Sequence, residues 1–310
     1  MLLNKILQNI PINGKYEIRY EREFETLGLT VSKPNKSYCT FLDNEKYVDC
    51  IDKNAVQIIT DKRLYPKIVE NYGDSKGICI VENPREIFFR MHNYLEKATE
   101  YSRKRVQTEI GKGCYISPLA SIAKENVYIG DNVTIEEFVV IRENTVIGEN
   151  TIIRAGAKIG SQGFEFKRAG TEIMSVCHLG GVKIGKSVEI QYNTCVDRAV
   201  YPWDDTVIGD FSKIDNLVHI GHAAKIDNNV MIVALSGIGG RTEIADNVWI
   251  GFGATVSNGL KVGKNSRANI GSVVTKDVNP GVDVTGNFAI DHSAFIQNLK
   301  NICSRGGGIN

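Results

Sequence analysis

From Ile110 onward one spacing governs the chain: an Ile or Val returns every sixth residue. The first run is Ile110, Ile116 and Ile122; after a slip of one residue it continues through Ile129, Ile135, Ile141, Ile147, Ile153 and Ile159. It resumes at Ile184 and holds to Val274, with only Pro202 and Ala268 breaking the rule. A helical period of 3.6 cannot keep a strict six, whereas an even spacing keeps each Ile on one side of a strand. Small or acidic residues often follow, as in Ile129-Gly130-Asp131 and Ile208-Gly209-Asp210. Each unit therefore predicts one short strand and one tight corner, and three units predict a triangular coil in which residues 18 apart stack. One coil buries almost nothing alone, so the coils must share a continuous apolar column. The period does not give the hand of the coil, and the general crossover rule favours the right hand.

Before the repeat the pattern is mixed. The runs 55–60 and 77–81 are apolar and predict buried strands. Residues 61–71 predict a helix, and Pro84 opens a longer one through about Arg105, with Pro in the first turn. Residues 1–105 thus form a small α/β domain with a connecting helix, 106–286 the β-helix, and 287–310 a short amphipathic helix and tail ending before Gly306-Gly307-Gly308. Two interruptions stand out. Residues 162–182 form a loop of about twenty residues containing Gly163-Phe164-Glu165-Phe166, and long loops in compact domains are usually functional or disordered. Residues 198–205, with Pro202 and Trp203, keep the phase but replace a strand.

Composition narrows the function. Net charge is +1, 24% of residues are charged and 42% hydrophobic; no strong field draws the chain to nucleic acid or an anionic membrane. The cluster Arg103-Lys104-Arg105 reads as a solvated helix end. Seven cysteines without a CxxC pair predict free thiols in the cytoplasm and no metal site. No apolar run approaches the ~20 residues of a membrane span, and the N-terminus lacks the pattern of a signal peptide.

The densest polar cluster runs from Asp215 through Asn216 and His219 to His222. With Ile220 inward, His222 falls near the next corner, where it can face a groove. A neutral imidazole can take a proton near pH 7, which acyl transfer to an amine requires of a general base. Gly240 lies one coil above His222, and its amide could approach an acyl oxygen as an oxyanion donor. These histidines could equally be ordinary corner residues. No GxSxG, Walker loop or HExxH occurs.

Several segments together carry a resemblance: Leu179 to Gly185, Val188-Glu189-Ile190, Val196-Asp197-Arg198, Asp205 to Asp210, the 215–222 cluster, Thr40 to Tyr47, and Val81-Glu82-Asn83-Pro84. Over roughly residues 15–290 the chain resembles the UDP-3-O-acylglucosamine N-acyltransferase family of the lipid A pathway, within the hexapeptide-repeat acyltransferases. The resemblance implies a left-handed parallel β-helix, mainly β, assembled as a homotrimer with active sites in the grooves between subunits. It implies His222 as base, Gly240 as oxyanion donor, Asp215 and Asn216 as the neighbouring polar pair, and Phe41 and Tyr47 as a uracil sandwich with Asn44 between them; His219, in the same cluster, is a further candidate for substrate binding. Phe164, Phe166 and Val273 are candidates for an acyl channel. No permanent cofactor is implied; the co-substrate is an acyl carrier protein or coenzyme A thioester, and the acceptor a UDP-linked amino sugar. Two departures bear on the substrate. Gly259 stands where many relatives carry a second histidine, and the C-terminal helix is short. The segments Val248-Trp249-Ile250-Gly251 and Val273 to Val278, followed by Gly286-Asn287, instead resemble acetyl-CoA-dependent hexapeptide acetyltransferases. An acetyl-CoA-dependent sugar N- or O-acetyltransferase for surface glycans therefore stays open, as does a scaffold that only assembles trimers. The candidate channel favours an acyl group longer than acetyl.

Overall fold

The structure, a computed structural model, describes residues 1–32, 34–286 and 289–305. Asn287 and Gly306-Gly307-Gly308, used above, lie outside the described residues. From Glu109 to Val284 short strands of two to four residues wind into a three-sided left-handed parallel β-helix. The inward residues stack in register. The first face carries Ile129, Ile147, Ile184, Ile208, Ile226, Ile244 and Val262. The second carries Ile135, Ile153, Ile190, Ile214, Ile232 and Ile250, and the third Ile141, Ile159, Val196, Ile220, Ile238, Val256 and Val274. Nearly all of these side chains are fully buried in one column. Full burial of each is worth ~1.5–3 kcal/mol.

The corners explain the polar half of the repeat. One residue per corner takes a left-handed backbone, and eight of these are asparagines, among them Asn126, Asn144, Asn229 and Asn247. Asn tolerates that region better than most residues. Stacked asparagines also bond between coils, as from Asn126 to Asn144 at 3.0 Å and from Asn247 to Asn265 at 3.0 Å. Both pairs are 18 residues apart.

Every break in the period falls at the same corner, between the third face and the first. The slip lies between Ile122 and Ile129. The long loop lies between Ile159 and Ile184, and it is an antiparallel hairpin of Phe166–Ala169 and Glu172–Ser175. The second interruption adds a unit instead of replacing a strand: Ile208 stacks directly on Ile184, 24 residues earlier. Because the addition is six residues long, the phase survives it.

The N-terminal unit sits on these two excursions. Its sheet comprises β1 (Glu17–Tyr20), β2 (Thr26–Leu27), β3 (Tyr38–Leu42), β4 (Ala55–Thr60) and β5 (Gly77–Ile80), in the order β1-β5-β4-β3-β2. Strands β2 to β5 are parallel, and β1 is antiparallel to β5. Helix α1 spans Leu3–Leu7 and α2 spans Tyr65–Tyr72. Helix α3 spans Pro84–Leu95, ten residues short of the expected end. The chain turns there because its next side chains serve the seam. Tyr101 turns back so that its hydroxyl meets His92 Nδ1 at 2.8 Å, while His92 Nε2 meets the Cys177 carbonyl at 2.8 Å. Arg103 is no solvated helix end. It donates to the carbonyls of Pro202 (2.7 Å) and Asp204 (2.8 Å) and pairs with Asp205 at 2.6 Å. Trp203 donates to the Leu27 carbonyl at 2.8 Å. Phe41, Phe88, Phe89, Val176, Val200 and Tyr201 share one buried cluster across the seam. The last helix, α4, spans His292–Arg305. No described helix is long and apolar enough to cross a membrane, and no described group of acidic, His or Cys side chains could hold a metal ion.

Candidate active site

His222 and Gly240 occupy the corner that carries the excursions, in the coils just above them. Arg241 N donates to the His222 carbonyl at 2.9 Å, which locks the two coils together. Gly240 lies flat against the imidazole: a Cβ there would sit 2.8 Å from His222 Nε2. Only glycine leaves room for the ring. The Gly240 amide donates to Asn258 Oδ1 at 3.1 Å, so an acyl oxygen would have to take that place.

The hairpin supplies what the sequence reading missed. Glu165 reaches over the corner, and its Oε2 lies 3.1 Å from His222 Nε2. Lys167 pairs with the other carboxylate oxygen and lies 4.8 Å over the Phe89 ring. Burial pushes the Glu165 carboxyl up, but hydrogen bonds from His222 and Lys167 outweigh it and hold the group down at about 2. Glu165 is therefore a carboxylate, and Nε2 carries the proton it accepts. His222 Nδ1 is buried without a hydrogen-bond partner among the described residues. The signal in the sequence was a charged residue set between Phe164 and Phe166, which only a hairpin turned over a polar site would bury.

His178 lies edge-on to His222, with ring centres 5.7 Å apart. Burial, then the neighbouring His222, hold it down at about 4, so it is neutral at pH 7. Gly163 N donates to its Nε2 at 3.2 Å, which leaves Nδ1–H for the Val176 carbonyl at 3.1 Å. Both ring nitrogens are occupied, so His178 wedges the base in place and has no free nitrogen with which to relay a proton. Gly163 is held to glycine by the same crowding, since a Cβ would lie 2.8 Å from Asp197 Oδ2.

The remaining expected residues divide into groups. His219 projects from the third face, 3.5 Å from Asp197. Burial raises the Asp197 carboxyl above its usual range, partly offset by His219 and His222. Asp215 and Asn216 lie on the preceding corner, one whole strand from His222. There Asp215 accepts from Ala234 N and Asn216 accepts from Tyr192 N, both at 3.1 Å. One protomer does not bring them to the base. Phe41, on β3, and Tyr47, in the 3-10 turn Glu45–Cys50, line one cavity of about 180 Å³ with Arg85, Phe89, Glu165, Lys167 and Arg241. Phe41 is 9% exposed, packed on Phe88 and Phe89 with Arg85 over its ring. Asn44 caps the turn, accepting from Lys46 N at 3.1 Å. Phe164 and Phe166 touch each other, 4.8 Å between centres, and Phe164 is 90% exposed. Val273 is 72% exposed on the third face, stacked above Thr255, Gly237 and His219, away from the phenylalanine pair.

Comparison with known proteins agrees with the repeat. The bacterial transferase hexapeptide (six repeats) family matches residues 126–161. UDP-3-O-acylglucosamine N-acyltransferase of Delftia acidovorans is 34% identical over 140 residues, covering 45% of this chain and 41% of that protein. The Caulobacter protein of the same name is 35% identical over 156 residues, 50% of this chain and 45% of that protein. The chain thus spans less than half the length of these curated relatives. Among solved structures, Arabidopsis UDP-N-acetylglucosamine acyltransferase aligns over 66% of this chain and 75% of its own, at 22% identity and a TM-score of 0.49. The Francisella novicida enzyme aligns over 63% and 73%, at 24% identity and a TM-score of 0.45.

Proposed function

We propose that the chain is a sugar N-acyltransferase that moves an acyl group from a pantetheine thioester, on acyl carrier protein or coenzyme A, to the amine of a UDP-linked amino sugar. The observation that carries this reading is the single cavity that runs from Phe41 and Tyr47 to Glu165, whose carboxylate rests on His222. It puts the aromatic pair, suited to a flat base, in one cavity with the carboxylate that rests on His222. The relatives named above act, by their names, on a UDP-linked acylglucosamine.

Glu165 stands between the cavity and Nε2; as the carboxylate gives way the ring takes its other tautomer, with the proton on Nδ1, and Nε2 is free to accept. The amine nitrogen attacks the thioester carbonyl carbon, His222 Nε2 takes the proton the nitrogen sheds and passes it to the departing sulfur, and the C–S bond breaks to release the thiol of the carrier. From beside the ring the carboxylate then stabilises the imidazolium, the logic by which a carboxylate supports a catalytic histidine. The Gly240 amide exchanges Asn258 for the developing oxyanion. No step needs a metal or a resident cofactor.

The proposal includes a homotrimer. Leu119, Phe138, Tyr192, Leu217, Leu235 and Phe252 form an exposed apolar ridge along the corner before the third face. A three-fold arrangement buries that ridge and brings Asp215 and Asn216 of one protomer toward the His222 corner of the next. The free thiols Cys39, Cys50, Cys79, Cys114, Cys177 and Cys195 accord with a cytoplasmic setting.

The test is a product assay with UDP-linked amino sugars, their amine-free hydroxyl counterparts, and acetyl to 3-hydroxymyristoyl thioesters on both carriers. Amide formation on a UDP-amino sugar, with an optimum beyond acetyl, is expected. Ester formation on the hydroxyl sugars alone, or an optimum at acetyl-CoA with no rate from longer chains, favours the acetyltransferase reading instead.

A further inference from the structure

The cavity lined by the aromatic pair and Glu165 has one cation too many. Its charged lining is Asp43, Arg85, Glu165, Lys167 and Arg241. Arg85 Nε pairs with Asp43 Oδ2 at 2.8 Å, and Lys167 pairs with Glu165. The Arg241 guanidinium has neither a hydrogen bond nor an ion pair among the described residues, although the side chain is half-buried. Its backbone is held as at the other corners, with φ 59° and its N–H tied to the carbonyl of His222. A half-buried guanidinium forgoes part of its hydration without a partner among the described residues in return.

Position supplies the reason. Arg241 follows Gly240, the residue pressed against the imidazole, so it starts one coil above the base and lines the cavity that Phe41 and Tyr47 also line. The same cavity is lined by the aromatic pair, the surplus cation and Glu165, whose carboxylate rests on the base. A nucleoside diphosphate sugar brings a matching set of groups: flat base, dianionic linker, sugar amine. A guanidinium fork fits phosphate oxygens in pairs and stays charged at every working pH.

We propose that Arg241 is the diphosphate-binding residue of this site, the group that sets the register of the nucleotide sugar between the aromatic pair and His222. This rests on the nucleotide-sugar reading above. It makes Arg241 a specificity determinant: the site selects a nucleoside diphosphate over a nucleoside or an uncharged glycoside.

The test is titration calorimetry of the full chain with uridine, UMP and UDP, on wild type, Arg241→Gln and Arg241→Lys. Wild type is expected to bind UDP at least about tenfold more tightly than uridine, since a charge-assisted bond of this kind is worth a factor of that order. Arg241→Gln is expected to lose that advantage, with its affinity for uridine unchanged within about twofold, and Arg241→Lys to recover part of it. Thermal unfolding of each variant checks that the corner still folds, and the unchanged uridine affinity reports the same thing at the site. If Arg241→Gln binds UDP as wild type does, the clamp is wrong while the nucleotide reading stands. If wild type binds neither uridine nor UDP, the nucleotide reading fails and the clamp fails with it.

Discussion

The β-helix and the seam that joins it to the N-terminal unit hold together in opposite ways. The β-helix repeats one interaction: an Ile or Val packs on the Ile or Val one coil below, and each contact resembles the next. The seam uses single, unrepeated side chains. His92 bridges Tyr101 and the Cys177 carbonyl, Arg103 holds the 198–205 excursion, and Trp203 reaches the Leu27 carbonyl. A distributed column gives rigidity and a regular place to mount side chains. A seam of unlike contacts gives a cavity. The candidate site lies where the two meet, with His222 and Gly240 from the column and Glu165 from the hairpin that the seam holds down.

That contrast can be broken first at the column. Ile190 is fully buried between Ile153 and Ile214. Ile190→Ala is expected to destabilise by ~2–5 kcal/mol, the range for such truncations in tight cores. Urea unfolding checks it, and a loss below ~1 kcal/mol would mean that the column is not close-packed there.

A smaller effect separates the seam from the column. His92 and His178 are both buried, and burial holds each down at about 4 from the usual 6.5. Between those values the unfolded chain binds more protons than the folded one, so stability rises with pH and is lost as pH falls from about 6.5 to 4. Each ring contributes at most ~1.4 kcal/mol per pH unit. Glu165 acts in the same direction but lower, with stability present above about 4.5 and lost toward 2. Hydrogen exchange at pH 5 should therefore show residues 84–101 and 162–182 losing protection while the upper coils keep theirs. Equal loss everywhere would show that the seam has no stability of its own.

The same contrast explains what was legible in the sequence. The column announces itself because each Ile must face inward at a fixed spacing, and the positions of His222 and Gly240 on one corner, 18 residues apart, follow from that alone. The seam has no period. The stop of α3 at Leu95 depends on Tyr101 and Arg103 finding partners in 177 and 202–205, which no local propensity records. The added unit around 198–205 was disguised because it lengthens the coil by six residues, from 18 to 24. Glu165 and Arg241 escaped for the same reason. Each is an ordinary charged residue in a loop or corner until the hairpin folds over His222 and the cavity leaves Arg241 without a counter-ion. Asp215 and Asn216 show the converse: close to His222 in sequence, they lie a full face away in the protomer.

The central claim is that His222 is the base of an acyl transfer. The most direct measurement is single-turnover amide formation by His222→Ala with a UDP-amino sugar and its preferred thioester, alongside UDP binding by the same variant. We expect turnover to fall by ~10²-fold or more, the loss typical of a placed base, with UDP affinity unchanged within about twofold. Turnover near that of wild type, with UDP still bound, would contradict the account.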